Sequence, residues 1–132
     1  MCGKRWKKKI NNRKSKKNIQ IYFFDIEDNV TFNLHKHFDT IAKLIDERME
    51  QHPGAVLVNC ICGISRSATV VIAYLIKQCN LTLQTSMKEV YHVRPHICPN
   101  ASFIRQLIQY EYDVFGKNSM SYEDCRKILF MD

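Results

Sequence analysis

Apolar positions along the chain change their spacing several times, and each change marks an element. Residues 19–26 (IQIYFFDI) are an aromatic and β-branched run of the length of a buried strand. Glu27, Asp28, Asn29, Val30 and Thr31 then read as a loop. From Asn33 the spacing becomes helical: Leu34, Phe38, Ile41, Ile45 and Met49 recur every three or four residues with charges between them. His52, Pro53 and Gly54 end that helix. Residues 55–59 (AVLVN) are a second short apolar strand. Strand, helix and strand in this order predict a βαβ unit, with two parallel strands in a small sheet.

Residues 60–66 (CICGISR) form a tight loop. Residues 67–78 are apolar almost all round, which predicts a central helix. Thr82 is placed to cap a helix running to Val93, which Arg94 and Pro95 break. Residues 100–115 predict another helix closed by Gly116, and residues 121–129 a short last one. No repeats occur. The fold class is therefore α/β: a small, parallel-containing sheet with flanking helices.

Charge divides the chain. Of its 132 residues, the first 17 hold nine cations and no acid, leaving eleven Lys/Arg against thirteen Asp/Glu in the rest. The formal net charge of +7 thus belongs to an arm, residues 1–18, expected to be unstructured, while the remainder is mildly acidic. The arm's two basic clusters are compatible with an import receptor or an anionic surface, or with a solvated arm that has no specific partner. Residues 19–116 make one domain, followed by a tail over 117–132. No apolar run approaches the roughly 20 residues of a membrane span, and the basic start does not read as a secretory signal. Six cysteines without a dense framework read as reduced thiols, which points to the cytoplasm, the nucleus or both. No spaced His/Cys cluster suggests a metal, and no cofactor is implied. No aromatic stacking platform suggests nucleic acid.

The loop carries the chemistry. Cys60 ends an apolar strand, Ile61, Cys62, Gly63, Ile64 and Ser65 follow, and Arg66 and Ser67 open an apolar helix. Backbone N–H groups at such a turn converge with the helix N-terminus into a cup that favours an anion. The same field lowers a thiol pKa below its ordinary value, making Cys60 a candidate nucleophile. Gly63 lets the backbone turn inward. Arg66 offers a planar fork of donors to two phosphate oxygens. Ser67 can donate to the thiolate when it leaves. Transfer of a phosphoryl group to sulfur also needs an acid that protonates the departing oxygen and then activates water. Asp28, on the loop 32 positions before Cys60, is the candidate, with Glu27 and Asp25 as rivals; Asp25 reads as part of the strand.

Cys-x5-Arg in this setting resembles the protein tyrosine phosphatase superfamily, and residues 63–76 (GISRSATVVIAYLI) are similar to its dual-specificity branch. The resemblance spans residues 19–115 and includes residues 94–100 (RPHICPN). It implies a partial dual-specificity phosphatase fold and a phosphorylated protein substrate, with phosphotyrosine and phosphoserine or phosphothreonine hydrolysed through a cysteinyl-phosphate. It also favours Asp28 over its rivals, and implies that Asn100 braces the phosphate loop.

Two departures keep alternatives open. Asn59 stands where that family has histidine, and none of His35, His37, His52, His92 and His96 is placed to substitute; they read as surface groups. Two or three strands and a helix that precede the first strand in the family are replaced by the basic arm, which predicts an exposed apolar sheet edge. A catalytically weak or inactive phosphoprotein-binding module, or a truncated non-functional form, are therefore the alternatives to an active enzyme. Cys62 is read either as a small packing residue or as a transient disulfide partner of Cys60, a strained bond at that spacing. The uncharged Ile61, Cys62 and Ile64 argue against a polyanionic lipid substrate.

Overall fold

The computed structural model describes residues 19–51 and 55–130, and the backbone alone of 7–10. In chain order the elements are β1 (Lys7–Ile10), β2 (Gln20–Phe23), α1 (His35–Gln51), α2 (Arg66–Gln78), α3 (Leu83–Val93), α4 (Ala101–Phe115) and α5 (Tyr122–Leu129). The apolar helix α2 is the hub: it packs against α1, α3 and α4, and α5 closes over α3 and α4. Its Ala68, Val70, Ile72, Ala73 and Ile76 are buried with Leu34, just before α1, and with Phe38, Ile41 and Ile45 along one face of α1. Each large aliphatic side chain so removed from water contributes about 2 kcal/mol. Met49, at the end of the same stripe, is 49% exposed.

Local chemistry fixes the ends of the later helices. Thr82, Asn100 and Ser121 cap α3, α4 and α5 with side-chain oxygens that accept from Thr85, Phe103 and Asp124 amides, and Ser121 with Asp124 forms a reciprocal capping box. Gly116 closes α4 at a φ of 72°, in the left-handed region that glycine adopts without strain.

The sheet departs from expectation. β2 pairs with β1, antiparallel, with Lys7 opposite Phe23 and Ile10 opposite Gln20. Part of the basic arm thus carries a strand; the rest of residues 1–18, and His52, Pro53 and Gly54, lie outside the described residues. Residues 55–59 are extended but form no strand, so the expected βαβ unit with parallel strands is not formed among the described residues. A ladder needs a neighbouring strand, and the ladder formed among the described residues joins β2 to β1. Val58 packs against the core, whereas Leu57 is 85% exposed.

From residue 21 to residue 26 the chain keeps a two-residue alternation. Tyr22, Phe24 and Ile26 are half-buried, while Ile21, Phe23 and Asp25 face outward. The Arg48 guanidinium lies over the Tyr22 ring, 5.0 Å from its centre. The exposed apolar side chains Ile19, Ile21, Phe23, Val56 and Leu57 leave the sheet region with the uncovered apolar surface expected from the sequence.

Two histidines read as surface groups are half-buried instead, because α1 begins against α4. His35 Nε2 lies 2.7 Å from Asp113 Oδ2, and its ring meets Tyr110 edge-on with centres 5.7 Å apart. His37 stacks on Phe32, and burial, with Lys36 beside it, lowers its pKa.

Candidate active site

The segment between Val58 and α2 curls into the expected loop. Cys60 Sγ lies 3.3 Å from Ser67 Oγ and accepts from the Gly63 amide at 3.2 Å. Burial pushes the thiol pKa up, but the Ser67 hydroxyl and the amides of Ser67, Gly63 and Ile64 outweigh it and bring the group down to about 7. Gly63 has a φ of 64°, so a residue with a Cβ would be strained there.

The loop's carbonyls are engaged on its other side. Arg94 Nη2 donates to the Cys62 carbonyl at 3.3 Å, Arg94 Nε to the Gly63 carbonyl at 2.9 Å, and the Cys98 amide to the Ile64 carbonyl at 2.8 Å. The Ser65 carbonyl accepts from Thr69, both from its amide at 3.0 Å and from its hydroxyl at 2.7 Å.

Helix α2 begins at this loop without a side-chain cap, unlike α3, α4 and α5, and its first turn holds no acidic residue. Its N-cap residue, Ser65, spends its hydroxyl elsewhere. That hydroxyl donates to Asp28 Oδ1 at 2.8 Å and accepts from the Asn100 amide at 3.0 Å. The first amides of α2 are therefore left without a capping oxygen, a setting that draws an anion. Arg66 stands at the first helical position. Its Nη1 donates to the Ile26 carbonyl at 3.2 Å, and its Nε is buried with no partner among the described residues. A buried donor without an acceptor is costly, and an anion in the cup would satisfy it.

Asp28 meets the loop through the same network. Its Oδ1 also accepts from Asn100 Nδ2 at 3.0 Å, and that amide group reaches the Asn29 carbonyl at 3.3 Å. Asn100 thus ties the Asp28 loop, Ser65 and the start of α4 together. Of the rivals, Glu27 accepts from Asn29 at 2.9 Å, and Asp25 is exposed beyond the end of β2 rather than inside it; neither makes a described bond to residues 60–66.

Asn59 is exposed and makes no described hydrogen bond to the loop; with Cys60, Cys62, Gly63 and Ser67 it lines an open cavity of about 440 Å³, whose lining also includes Val58, Val71, Val90, Arg94 and Ile97. Ile61 is 86% exposed on the loop's rim. Cys60, Cys62, Cys79, Cys98 and Cys125 are free thiols. Among the described residues no His/Cys/Asp/Glu group is arranged to hold a metal, and no helix is long and apolar enough to cross a membrane.

The sequence assigns Arg94 no place at the site beyond breaking a helix and belonging to the family-like stretch 94–100, and it does not point to the Ile26 carbonyl or the Cys98 amide. Ile26 and Cys98 act through their backbones, which leave no mark in a sequence, and an arginine before proline carries no pattern of its own.

A thiol held by amides at an uncapped helix start, with an arginine six positions later, is an arrangement that favours a thiolate and an anion beside it. The chain belongs to the dual specificity phosphatase family: the model described as dual specificity phosphatase, catalytic domain, matches residues 2–113. Dual specificity protein phosphatase 14 of Mus musculus is 50% identical over 84 residues, covering 64% of this chain and 42% of that one. Dual specificity protein phosphatase 1 of Arabidopsis thaliana is 45% identical over 82 residues, covering 62% and 41%. The chain thus spans less than half the length of these relatives. The crystal structure of human tyrosine phosphatase-like serine/threonine/tyrosine-interacting protein superposes with a TM-score of 0.63 at 37% identity, over 67% of this chain and 58% of that one. The described architecture, mostly helical with one short sheet, is a partial form of that fold.

Proposed function

We propose that the domain hydrolyses phosphate esters on tyrosine and on serine or threonine of proteins, through a cysteinyl-phosphate. Cys60 is the nucleophile: its sulfur attacks phosphorus, the bond to the leaving oxygen breaks, and Asp28 delivers the proton that oxygen needs. Arg66 and the amides of residues 61–66 hold the non-bridging oxygens. Water activated by Asp28 then releases inorganic phosphate, and the Ser67 hydroxyl stabilises the departing thiolate. Asn100 and Ser65 keep Asp28 beside the cup.

The observation that carries this reading is the Cys60 sulfur, 3.2 Å from the Gly63 amide and 3.3 Å from the Ser67 hydroxyl, with a pKa of about 7. The exposed rim at Ile61 supports an open cup that admits short and long phosphorylated side chains alike. The substrate is then a phosphorylated protein, and thiolate chemistry of this kind belongs to a reducing compartment, the cytoplasm or the nucleus. The basic clusters of the arm are assigned no partner, since their side chains lie outside the described set.

Incubation with a small aryl phosphate tests it. Wild-type protein should release phosphate and form a phosphorylated species trapped at acid pH. Cys60→Ser should abolish both. Turnover that survives in Cys60→Ser would remove the assignment.

A further inference from the structure

We propose that Arg94 is a positioning residue for the phosphate loop: its one guanidinium holds the Cys62 and Gly63 carbonyls on the outside, and so aims the Gly63 and Ile64 amides at Cys60. The inference rests on the reading of the loop as an anion site.

The argument starts from the peptide bond. In a trans peptide the C=O of one residue and the N–H of the next point in opposite directions, and no cis peptide occurs among the described residues. Whatever fixes a carbonyl therefore fixes the following amide. Arg94 Nη2 holds the Cys62 carbonyl, which sets the Gly63 amide; Arg94 Nε holds the Gly63 carbonyl, which sets the Ile64 amide. Those are two of the three amides that favour the thiolate of Cys60, the third being Ser67 within α2.

Arg94 is itself firmly seated. It is the C-cap of α3, its amide donates to the Val90 carbonyl at 2.9 Å, and its carbonyl accepts from Ile97 at 3.2 Å. Pro95 follows and stops the helix there. Among the described residues its guanidinium forms no ion pair, and its described side-chain bonds go to loop carbonyls. A planar fork reaching two successive carbonyls from two nitrogens is what arginine supplies and lysine does not, since an ammonium carries all its donors on one rotatable nitrogen.

That difference separates positioning from charge alone. In the full chain, Arg94→Lys keeps the charge and loses the fork; Arg94→Met loses both. Three readouts are compared with wild type: the pH dependence of iodoacetamide alkylation at Cys60, located by mass spectrometry; the affinity for inorganic phosphate; and the thermal melt. Both variants should move the alkylation midpoint upward by about one unit and weaken phosphate by about tenfold, with little change in melting temperature. A lysine variant that behaves as wild type while the methionine variant shifts would reduce Arg94 to a charge and overturn the proposal, as would two unshifted variants. A wild-type thiol that titrates at an ordinary value would bring down the functional reading first, and this proposal with it.

Discussion

Arg94 stands in the space that a side chain on residue 63 would occupy: a Cβ built on Gly63 would lie 2.8 Å from Arg94 Nη2, while Arg94 Nε donates to the Gly63 carbonyl at 2.9 Å. The glycine also has a φ of 64°, which an L side chain adopts only with strain. Gly63→Ala should therefore act twice, straining the loop by about 1–2 kcal/mol and displacing the arginine. The second effect can be isolated. With Arg94→Met already in place, the alanine should raise the Cys60 alkylation midpoint less than it does in wild type. Equal shifts in the two backgrounds would show that residue 63 and Arg94 act independently.

Two thiols in this domain should titrate far apart. Cys60 sits at about 7, whereas burial, with Asp124 and Glu111 nearby, pushes the Cys125 thiol up to about 12. Iodoacetamide at neutral pH should label Cys60 and leave Cys125 unmodified in the folded protein. Because the folded pKa of Cys60 lies below its ordinary value of 9.0, ionisation adds stability that is fully present above pH 9.0 and is lost as pH falls through about 7. Cys60→Ser should flatten that part of the pH–stability curve. Ser67→Ala removes a hydroxyl 3.3 Å from the sulfur and should move the alkylation midpoint upward. An unmoved midpoint would exclude Ser67 from thiolate stabilisation.

Asp28→Asn keeps an oxygen able to accept from Ser65 and Asn100, so the network that holds the loop should survive and the melting temperature should barely move. What the amide lacks is the proton. For an aryl phosphate with a poor leaving group, the rate should fall by about a hundredfold. For one whose phenol leaves readily as an anion, the loss should be slight. Equal losses on both substrates would mean that Asp28 is structural and that the leaving group is protonated by another residue.

What was legible in the sequence follows from how far apart the cooperating residues lie. The helices were readable because their determinants are local: the apolar stripe from Leu34 to Ile45, and the cap Thr82, answered three residues later; Asn100 and Ser121, read only as helix starts, are caps of the same kind. The site's centre was readable for the same reason, since Cys60, Gly63, Arg66 and Ser67 fall within eight consecutive positions. Residues 55–59 have strand composition but form no ladder, because a strand also requires a neighbour that its own sequence does not encode. β1 was hidden in a run of lysines, where charge outweighs any pattern. Arg94 lies 31 positions from Gly63, and His35 lies 78 from Asp113; such pairs form only once the helices have packed. Asp28 occupied a middle ground, its loop evident and its link to Ser65 and Asn100 not.

Glu111 tests the scaffold apart from the chemistry. It lies on α4, is 1% exposed, and accepts from the Leu83 amide at 2.7 Å, the Ser119 amide at 2.8 Å and the Ser119 hydroxyl at 2.6 Å. One carboxylate thus joins the start of α3 to the α4–α5 connection, satisfying donors that no helical carbonyl reaches. Glu111→Ala would leave those donors without a partner and should cost on the order of 3 kcal/mol, read from urea or thermal unfolding. Glu111→Gln, which retains one acceptor oxygen, should cost less. The carboxylate acts at the opposite end of α3 from Arg94, so the Cys60 alkylation midpoint of the folded fraction should match wild type in both variants. A midpoint that moved with Glu111 would mean that the seating of α3 reaches the thiol, and that Arg94 is held by the helix's position in the core rather than by its own cap.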